Sequence, residues 1–243
     1  MRIALLGAAP DAPFPPVRRA LREPDGLLAA GGDLTPTRLL NAYRQGIFPW
    51  FNEGDAILWW SPDPRVVFDS ADFRLPRRFR RSLRQSGWVL SADRDFDGVM
   101  RACAQAPRAG QEGGTWIGPS MLAAYSELHR LGHAHSIEVW AGSRLAGGIY
   151  GVAIGRMFFG ESMFSAESGG SKAALAGLAH VLSGWGWPLI DAQVENPHLL
   201  SLGARLLPRG AFQARIAALV ALEGRTGSWS TVFGSLPAAG LAG

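Results

Sequence analysis

Ala134-His135-Ser136-Ile137-Glu138-Val139-Trp140, then Ala141-Gly142-Ser143, then Arg144-Leu145-Ala146-Gly147-Gly148-Ile149-Tyr150-Gly151-Val152-Ala153-Ile154 is the stretch on which the fold turns. Two β-prone runs separated by a tight glycine-bearing turn predict a hairpin. Met157 to Ser162 adds a third strand. A helix from about Ser171 to Ser183 follows, then a strand from Pro188 to Val194. Upstream, the pattern predicts a strand at Val66 to Phe68, a helix, and a strand at Trp88 to Ser91. Helices follow near Asp95 to Gln105 and from Pro119 to Leu131, the last closed by Gly132. Downstream come a short helix near His198 to Leu202, a helix from about Ala211 to Leu222 and a frayed tail after Gly234. Adjacent strands set among helices predict an α+β fold with a mixed central sheet.

The part before this unit reads differently. It is rich in turns (Pro10, Pro13, Pro15, Pro16, Pro24-Asp25-Gly26) and holds one clear helix, with Thr35 as N-cap, Pro36 as first helical residue and Gly46 as stop. Aromatic, β-prone Ile47 to Phe51 and Ile57 to Trp60 follow, and Ser61-Pro62-Asp63-Pro64 reads as a link. The expected division is a small N-terminal domain over 1–62 and a larger domain over 63–243, within a chain of 243 residues that is 47% hydrophobic and 18% charged. The single cysteine, Cys103, excludes a disulfide framework and a cysteine-rich zinc site. No run approaches the roughly 18 apolar residues of a membrane span. Ile3 to Ala9 is too short for a secretory leader and is cut by Pro10 and Asp11, so it reads as the first strand of a cytosolic protein.

The net charge of +4 has one source. Arg74, Arg77, Arg78, Arg80, Arg81 and Arg84 fall in a run without Asp or Glu; outside it the chain holds 18 basic against 20 acidic residues. Pro76 and Gly87 bracket this run as a helix, with Pro76 at the first helical position, and Arg77, Arg81 and Arg84 share one face. Like charges so placed repel, and a polyanion relieves the repulsion. The plainer reading is a solvated face.

Several patterns bear on chemistry. His129, His133 and His135 have spacing that suggests a metal, but Gly132 ends the helix before His133, so they are not expected to converge, with no carboxylate to complete the set. Gly147, Gly148, Gly151, Gly155 and Gly160 form no dinucleotide fingerprint; they are expected to allow bulges or close approach of a ligand. Ser168-Gly169-Gly170-Ser171-Lys172 precedes a helix and could receive an anion, or be an ordinary N-cap. Asp191 and Gln193 alternate with Ile190 and Ala192 and are expected on one face of an otherwise apolar strand. Glu161 is a third such group. Trp50, Trp59, Trp60 and Trp116 suit base stacking near an arginine patch, with core packing as the default for most.

The element order resembles the acetyltransferase-like (GNAT-like) fold, in which central strands splay around an acyl donor. At the level of motifs the chain resembles the leucyl/phenylalanyl-tRNA–protein transferase family. The strings are Glu23-Pro24-Asp25-Gly26-Leu27-Leu28-Ala29-Ala30-Gly31-Gly32-Asp33-Leu34, Gly46-Ile47-Phe48-Pro49-Trp50-Phe51, Trp59-Trp60-Ser61-Pro62-Asp63-Pro64-Arg65 and Gly114-Thr115-Trp116-Ile117. Leu131 to Trp140, Gly160-Glu161-Ser162-Met163-Phe164-Ser165, Leu189-Ile190-Asp191-Ala192-Gln193 and Ser201-Leu202-Gly203-Ala204 complete them. The chain departs from the family pattern at Ala192, Ala166 and Gly169-Gly170.

The resemblance implies a bacterial, cytoplasmic enzyme that moves Leu, Phe and less readily Met from aminoacyl-tRNA to an N-terminal Arg or Lys, marking the protein for N-degron degradation. It implies a small N-terminal domain plus an acetyltransferase-like C-terminal domain, no metal, no nucleotide cofactor and a monomer. By the same resemblance, Asp191 and Gln193 sit at the reacting centre with Glu161 and Asn196 in the hydrogen-bond network. Gln193 is then an acceptor that orients the amine, polarised by Asp191. Ile149, Phe158, Met163, Leu175, Leu178 and Ile190 match the donor pocket, Trp50 and Trp116 the terminal adenosine site, and Arg77, Arg81 and Arg84 the helix under the acceptor stem. Two other classes stand beside this one. A CoA-dependent acetyltransferase lacks its Gln/Arg-x-x-Gly-x-Gly/Ala loop here, and a non-catalytic RNA-binding protein leaves Asp191, Gln193 and Glu161 unexplained.

Overall fold

The computed structural model describes residues 3–107 and 115–242, and among them the chain forms two sheets. Gly114, which opens the Gly114–Ile117 motif, lies outside the described residues. The first sheet holds β1 (Ala4–Leu6), β2 (Leu27–Gly31), β3 (Phe48–Pro49) and β4 (Leu58–Trp60) in the order β1-β2-β4-β3. Helix α1 (Pro36–Arg44) lies between β2 and β3. Thr35 Oγ1 accepts from Arg38 N, Pro36 opens the helix, and Gly46 takes a φ of +66° just past its end, so the punctuation worked as expected. Buried Arg38 ties the turn-rich start down: Nη2 donates to Gly7 O at 2.9 Å and Ala9 O at 2.6 Å, and Nε to Asp33 Oδ2 at 3.1 Å.

The second sheet holds β5 (Arg65–Asp69), β6 (Val89–Ala92), β7 (Ala134–Ala141), β8 (Arg144–Ile154), β9 (Met157–Ser165), β10 (Leu189–Gln193), β11 (Arg205–Leu207) and β12 (Leu236–Pro237). Their order is β11-β5-β10-β9-β8-β7-β6-β12. The predicted hairpin is β7–β8, and β9 continues the meander. Neighbours are antiparallel except β9 and β10, which run parallel and pair only from Leu189↔Met157 to Asp191↔Phe159. Beyond Phe159, β9 runs on to Ser165 against β8 alone. The two strands therefore part in mid-sheet, and the gap opens there.

Helices cover both faces: α2 (Arg77–Gln85), α3 (Phe96–Gln105), α4 (Pro119–Arg130), α5 (Gly170–Gly184), α6 (Pro197–Ser201), α7 (Arg209–Val220) and α8 (Ser230–Phe233). On one face α5 buries Ala173, Leu175, Leu178 and Leu182 with Leu90, Ile137, Val139 and Ile190. On the other, α3 and α4 bring Val99, Met100, Met121 and Tyr125 against Tyr150, Val152 and Phe159, continuous with Leu39, Tyr43 and Trp59 from the first sheet. Each fully buried leucine in these layers contributes roughly 1.5–3 kcal/mol. A Cβ at Gly147 would collide with the backbone of Gly170, so that strand glycine admits the start of α5 rather than a ligand.

Helix α2 begins at Arg77 with Pro76 as its N-cap, one residue later than expected. The tail also differs from expectation. Leu236 and Pro237 pair with Leu90 and Val89, and Ala238 and Ala242 are buried. An apolar Leu-Pro-Ala-Ala-Gly-Leu-Ala run finds an open edge at β6 and the flank of α2, where burial outweighs the entropy of fraying.

Candidate active site

The parting of β9 and β10 makes a cleft of about 610 Å³. Its apolar wall is Phe68, Ile149, Met163, Leu175 and Ile190; its polar edge is Glu161, Ser162, Asp191, Gln193, Asn196 and His198; Phe48, Pro49, Trp50 and Trp116 form the rim. Residues more than a hundred positions apart thus converge. Of the donor-pocket candidates, Ile149, Met163, Leu175 and Ile190 reach the cleft surface. Phe158 and Leu178 do not: both are buried in the packed cluster that holds Ile149 and Ile190. Leu178 lies one helical turn beyond Leu175 and faces the underside of the sheet.

Asp191 and Gln193 both line the cleft, but regular alternation does not place them. The register with β5 slips between them, and Gln193 takes a left-handed φ of +56°. Its backbone N–H turns back to Asp191 Oδ1 at 3.0 Å. Such a φ is costly for a residue with a side chain, and it persists where surrounding contacts over-determine it.

Asp191 is fully buried and bonded twice by Arg65, Nε to Oδ1 at 2.8 Å and Nη2 to Oδ2 at 2.6 Å. Arg65 Nη1 donates to Gly46 O at 3.0 Å, and the guanidinium carbon sits 4.8 Å from the Phe48 and Phe212 ring centres. A buried bidentate pair with this much support fixes geometry firmly. Asp191 therefore holds the Gln193 backbone, and no side-chain contact polarises the Gln193 amide from that direction.

The Gln193 amide answers to Glu161 instead. Gln193 Nε2 donates to Glu161 Oε1 at 2.9 Å. Tyr43 O–H also reaches Oε1, at 2.7 Å, Tyr125 O–H reaches Oε2 at 3.0 Å, and the two phenol oxygens bond each other. Glu161 is part-exposed along the cleft, but its carboxyl group is enclosed by these three side chains. Burial pushes its pKa up to about 8; the tyrosine hydroxyls pull it down, and the nearby Asp191 charge pushes it up. The proton count agrees. Three contacts join Tyr43, Tyr125 and Glu161, and an ionised carboxylate leaves two protons for them, whereas a neutral carboxyl supplies the third. Burial likewise raises both phenols well above their ordinary range.

Trp50 is 41% exposed at the rim, its backbone oxygen held by Trp60 Nε1 at 2.7 Å. Glu53 Oε2 accepts from Ser120 N at 3.2 Å and Oγ at 2.7 Å, which caps α4 and links the segments carrying Trp50 and Trp116. Trp59 is core, with Nε1 on Gly31 O at 2.9 Å. Arg77 and Arg81 are exposed on α2, while Arg84 Nη2 donates to Ala242 O at 2.5 Å and ties down the tail. Asn196 caps α6, its Oδ1 accepting from His198 N at 2.8 Å.

The histidines correct one expectation. His135 Nδ1 donates to Asp93 Oδ2 at 2.9 Å, and His129 Nδ1 lies 3.9 Å from Asp93 Oδ1 while bonding Ala134 O at 2.8 Å. Two of the three therefore do meet at a carboxylate, because a left-handed Asp93 (φ +56°) turns back between β6 and α3. Among the described residues no three His, Cys, Asp or Glu side chains gather closely enough to hold a metal.

Sequence reasoning assigned no role to Arg65, Tyr43, Tyr125 or Phe68. Tyrosine is scarce, only three in the chain, and all three cluster: Tyr150 packs edge-on to Tyr125 at 5.9 Å. That scarcity was the available signal.

Comparison with known proteins bears on the family of the whole chain. The profile described as leucyl/phenylalanyl-tRNA protein transferase matches residues 67–217, and that of the family's N-terminal domain matches 32–63. A leucyl/phenylalanyl-tRNA–protein transferase of Xanthomonas euvesicatoria pv. vesicatoria (strain 85-10) is 64% identical over 240 residues, 99% of this chain and 96% of that protein. One from Xylella fastidiosa (strain 9a5c) is 60% identical over 230 residues, 95% and 94% of the two chains. Among solved structures, L-PGS from Bacillus licheniformis aligns with a TM-score of 0.40 at 12% identity, over 71% of this chain and 57% of that one, a likeness too slight to bear on the argument. With two relatives matching almost end to end at 60% identity or more, the chain belongs to the leucyl/phenylalanyl-tRNA–protein transferase family.

Proposed function

We propose that the protein transfers Leu or Phe, and less readily Met, from the 3′ end of aminoacyl-tRNA to the α-amine of proteins that begin with Arg or Lys, marking them for N-degron degradation. One observation carries the reading. An apolar wall of side-chain size meets a fixed amide, Gln193, across a gap where two strands part, with a half-exposed tryptophan at the rim.

The donor ester is already activated. The acceptor amine has a pKa near ~8, so a usable fraction is neutral at physiological pH. The work left to the protein is alignment. Ile149, Met163, Leu175 and Ile190 take the aminoacyl side chain, and Trp50 and Trp116 flank the terminal adenosine. The Gln193 amide oxygen accepts an N–H from the attacking amine, because Nε2 is held by Glu161. The new C–N bond forms as the C–O bond to ribose breaks. The amine proton ends on the ribose oxygen, which balances the step without a protein base. Asp191, with both oxygens engaged by Arg65 and Gln193 N, acts by position.

The parted strands support an acetyltransferase-like reading of the larger sheet, and the two sheets support a division near residue 62. Among the described residues no helix is long and apolar enough to cross a membrane; a cytoplasmic monomer working without metal or nucleotide fits this reading. Mixing the protein with Phe-tRNA and a peptide that starts with Arg tests it. The expected result is a peptide heavier by one Phe residue at its N-terminus. Tight acetyl-CoA binding, or tRNA binding without transfer, overturns it.

A further inference from the structure

The turn Ser168 to Lys172 has no part in the chemistry above, yet it stands between the arginine helix and the cleft. Gly169 is left-handed at φ +91°, and the Phe79 ring of α2 lies where a Cβ on Gly169 would be. Lys172 Nζ is 5.7 Å from the same ring centre. Ser171 N donates to Ser165 Oγ at 2.9 Å, which pins the start of α5 to the end of β9, two residues past cleft-lining Met163. Lys172 lies one helical turn before cleft-lining Leu175 on α5, and burial, then the Lys172 charge, lower the pKa of the His198 imidazole, which also lines the cleft. Glu167 in the same turn is held by Arg144 at 2.7 Å, and Lys172 has no carboxylate partner among the described residues. Among the described residues neither Lys172 nor His198 is paired with an acid, and the two lie between the Phe79 side of α2 and the cleft.

We propose that Lys172 and His198 hold the last phosphodiesters of the donor's 3′ single strand, joining the acceptor-stem contacts of α2 to the cleft. This rests on the donor reading above. Phosphate contacts of this kind set register and path without reading bases. In a single strand each neutralised phosphate adds about 0.7 to the slope of log affinity against log salt.

The test measures affinity of the wild type, Lys172→Ala and Lys172→Gln for three compounds. These are phenylalanyl-adenosine, which has no phosphodiester; phenylalanyl cytidylyl-adenosine, which has one; and Phe-tRNA. Expected results are wild-type affinity of both variants for the adenosine compound, loss of the dinucleotide's advantage over it, and a Phe-tRNA salt slope flatter by about 0.7. Lys172→Arg should restore all three. An unchanged slope, equal loss on the adenosine compound, or a wild type that binds the dinucleotide no better than the adenosine compound overturns the proposal. A wild type that transfers Phe from none of the three overturns the donor reading instead.

Discussion

Gln193 Nε2 donates to Glu161 Oε1 at 2.9 Å, and so the amide oxygen is the end of Gln193 left for an incoming amine. Gln193→Ala should lower the transfer rate by roughly 10²-fold, the scale of lost alignment, with donor affinity changed less than threefold. Single-turnover transfer beside donor binding checks this. Affinity falling in step with rate would make Gln193 a donor contact instead.

Glu161 predicts a pH dependence of stability. Its pKa is raised from 4.5 to about 8 by burial, so between those values the folded protein holds a proton that the unfolded chain has released. Its contribution is fully present below about 4.5 and lost as pH rises through about 8, with a slope of at most ~1.4 kcal/mol per pH unit. Glu161→Gln, always neutral, should lack it. Urea unfolding of both proteins from pH 5 to 8.5 isolates the difference, and parallel curves contradict the assignment.

Arg65 and Asp191 are 1% and 0% exposed, so breaking the pair strands a buried charge. Arg65→Ala should destabilise the fold by about 3–5 kcal/mol. Arg65→Met with Asp191→Leu should recover part of that while transfer stays low, because the Gln193 turn has lost its anchor. A double variant with normal transfer would show that the anchor is dispensable.

Leu175 reaches the cleft from α5, so Leu175→Ala should lengthen the pocket and favour Phe over Leu by about tenfold in kcat/KM. Competition between the two charged tRNAs reads the ratio directly. A ratio equal to that of the wild type puts Leu175 outside the donor pocket.

Arg77, Arg81 and Arg84 of α2 should separate. Arg77→Ala with Arg81→Ala should weaken Leu-tRNA and Phe-tRNA binding equally and flatten the salt slope by about 0.7–0.9 per lost contact. Arg84→Ala, which frees the carbonyl of Ala242, should instead lower Tm by about 2–4 °C, as a loss near 1 kcal/mol does in a domain of this size. Identical behaviour of the two variants would refute the division.

Much of the fold was legible because its signals are local. Thr35-Pro36 and Gly46 bracket α1 through their own dihedral preferences, and Ala141-Gly142-Ser143 between two β-prone runs leaves little but a hairpin. The tail after Gly234 was misread because its order depends on an edge strand about 150 residues away. The pairing of Asp191 with Gln193 was legible as proximity. The bulge that creates it was not, since a left-handed Gln carries no sequence signature.

By itself the sequence determined the order of elements from β5 to α6, the single basic segment and the family motifs, all properties of contiguous residues. Only the tertiary structure decided which groups answer to which. Arg65 meets Asp191 across 126 positions because the order β5-β10-β9 makes distant strands neighbours, and Tyr43 meets Glu161 across 118 because α1 packs against β9 at Phe159. The cleft has the same origin: β9 and β10 pair for three residues and then part, and where they part depends on the packing of two helical layers against one sheet.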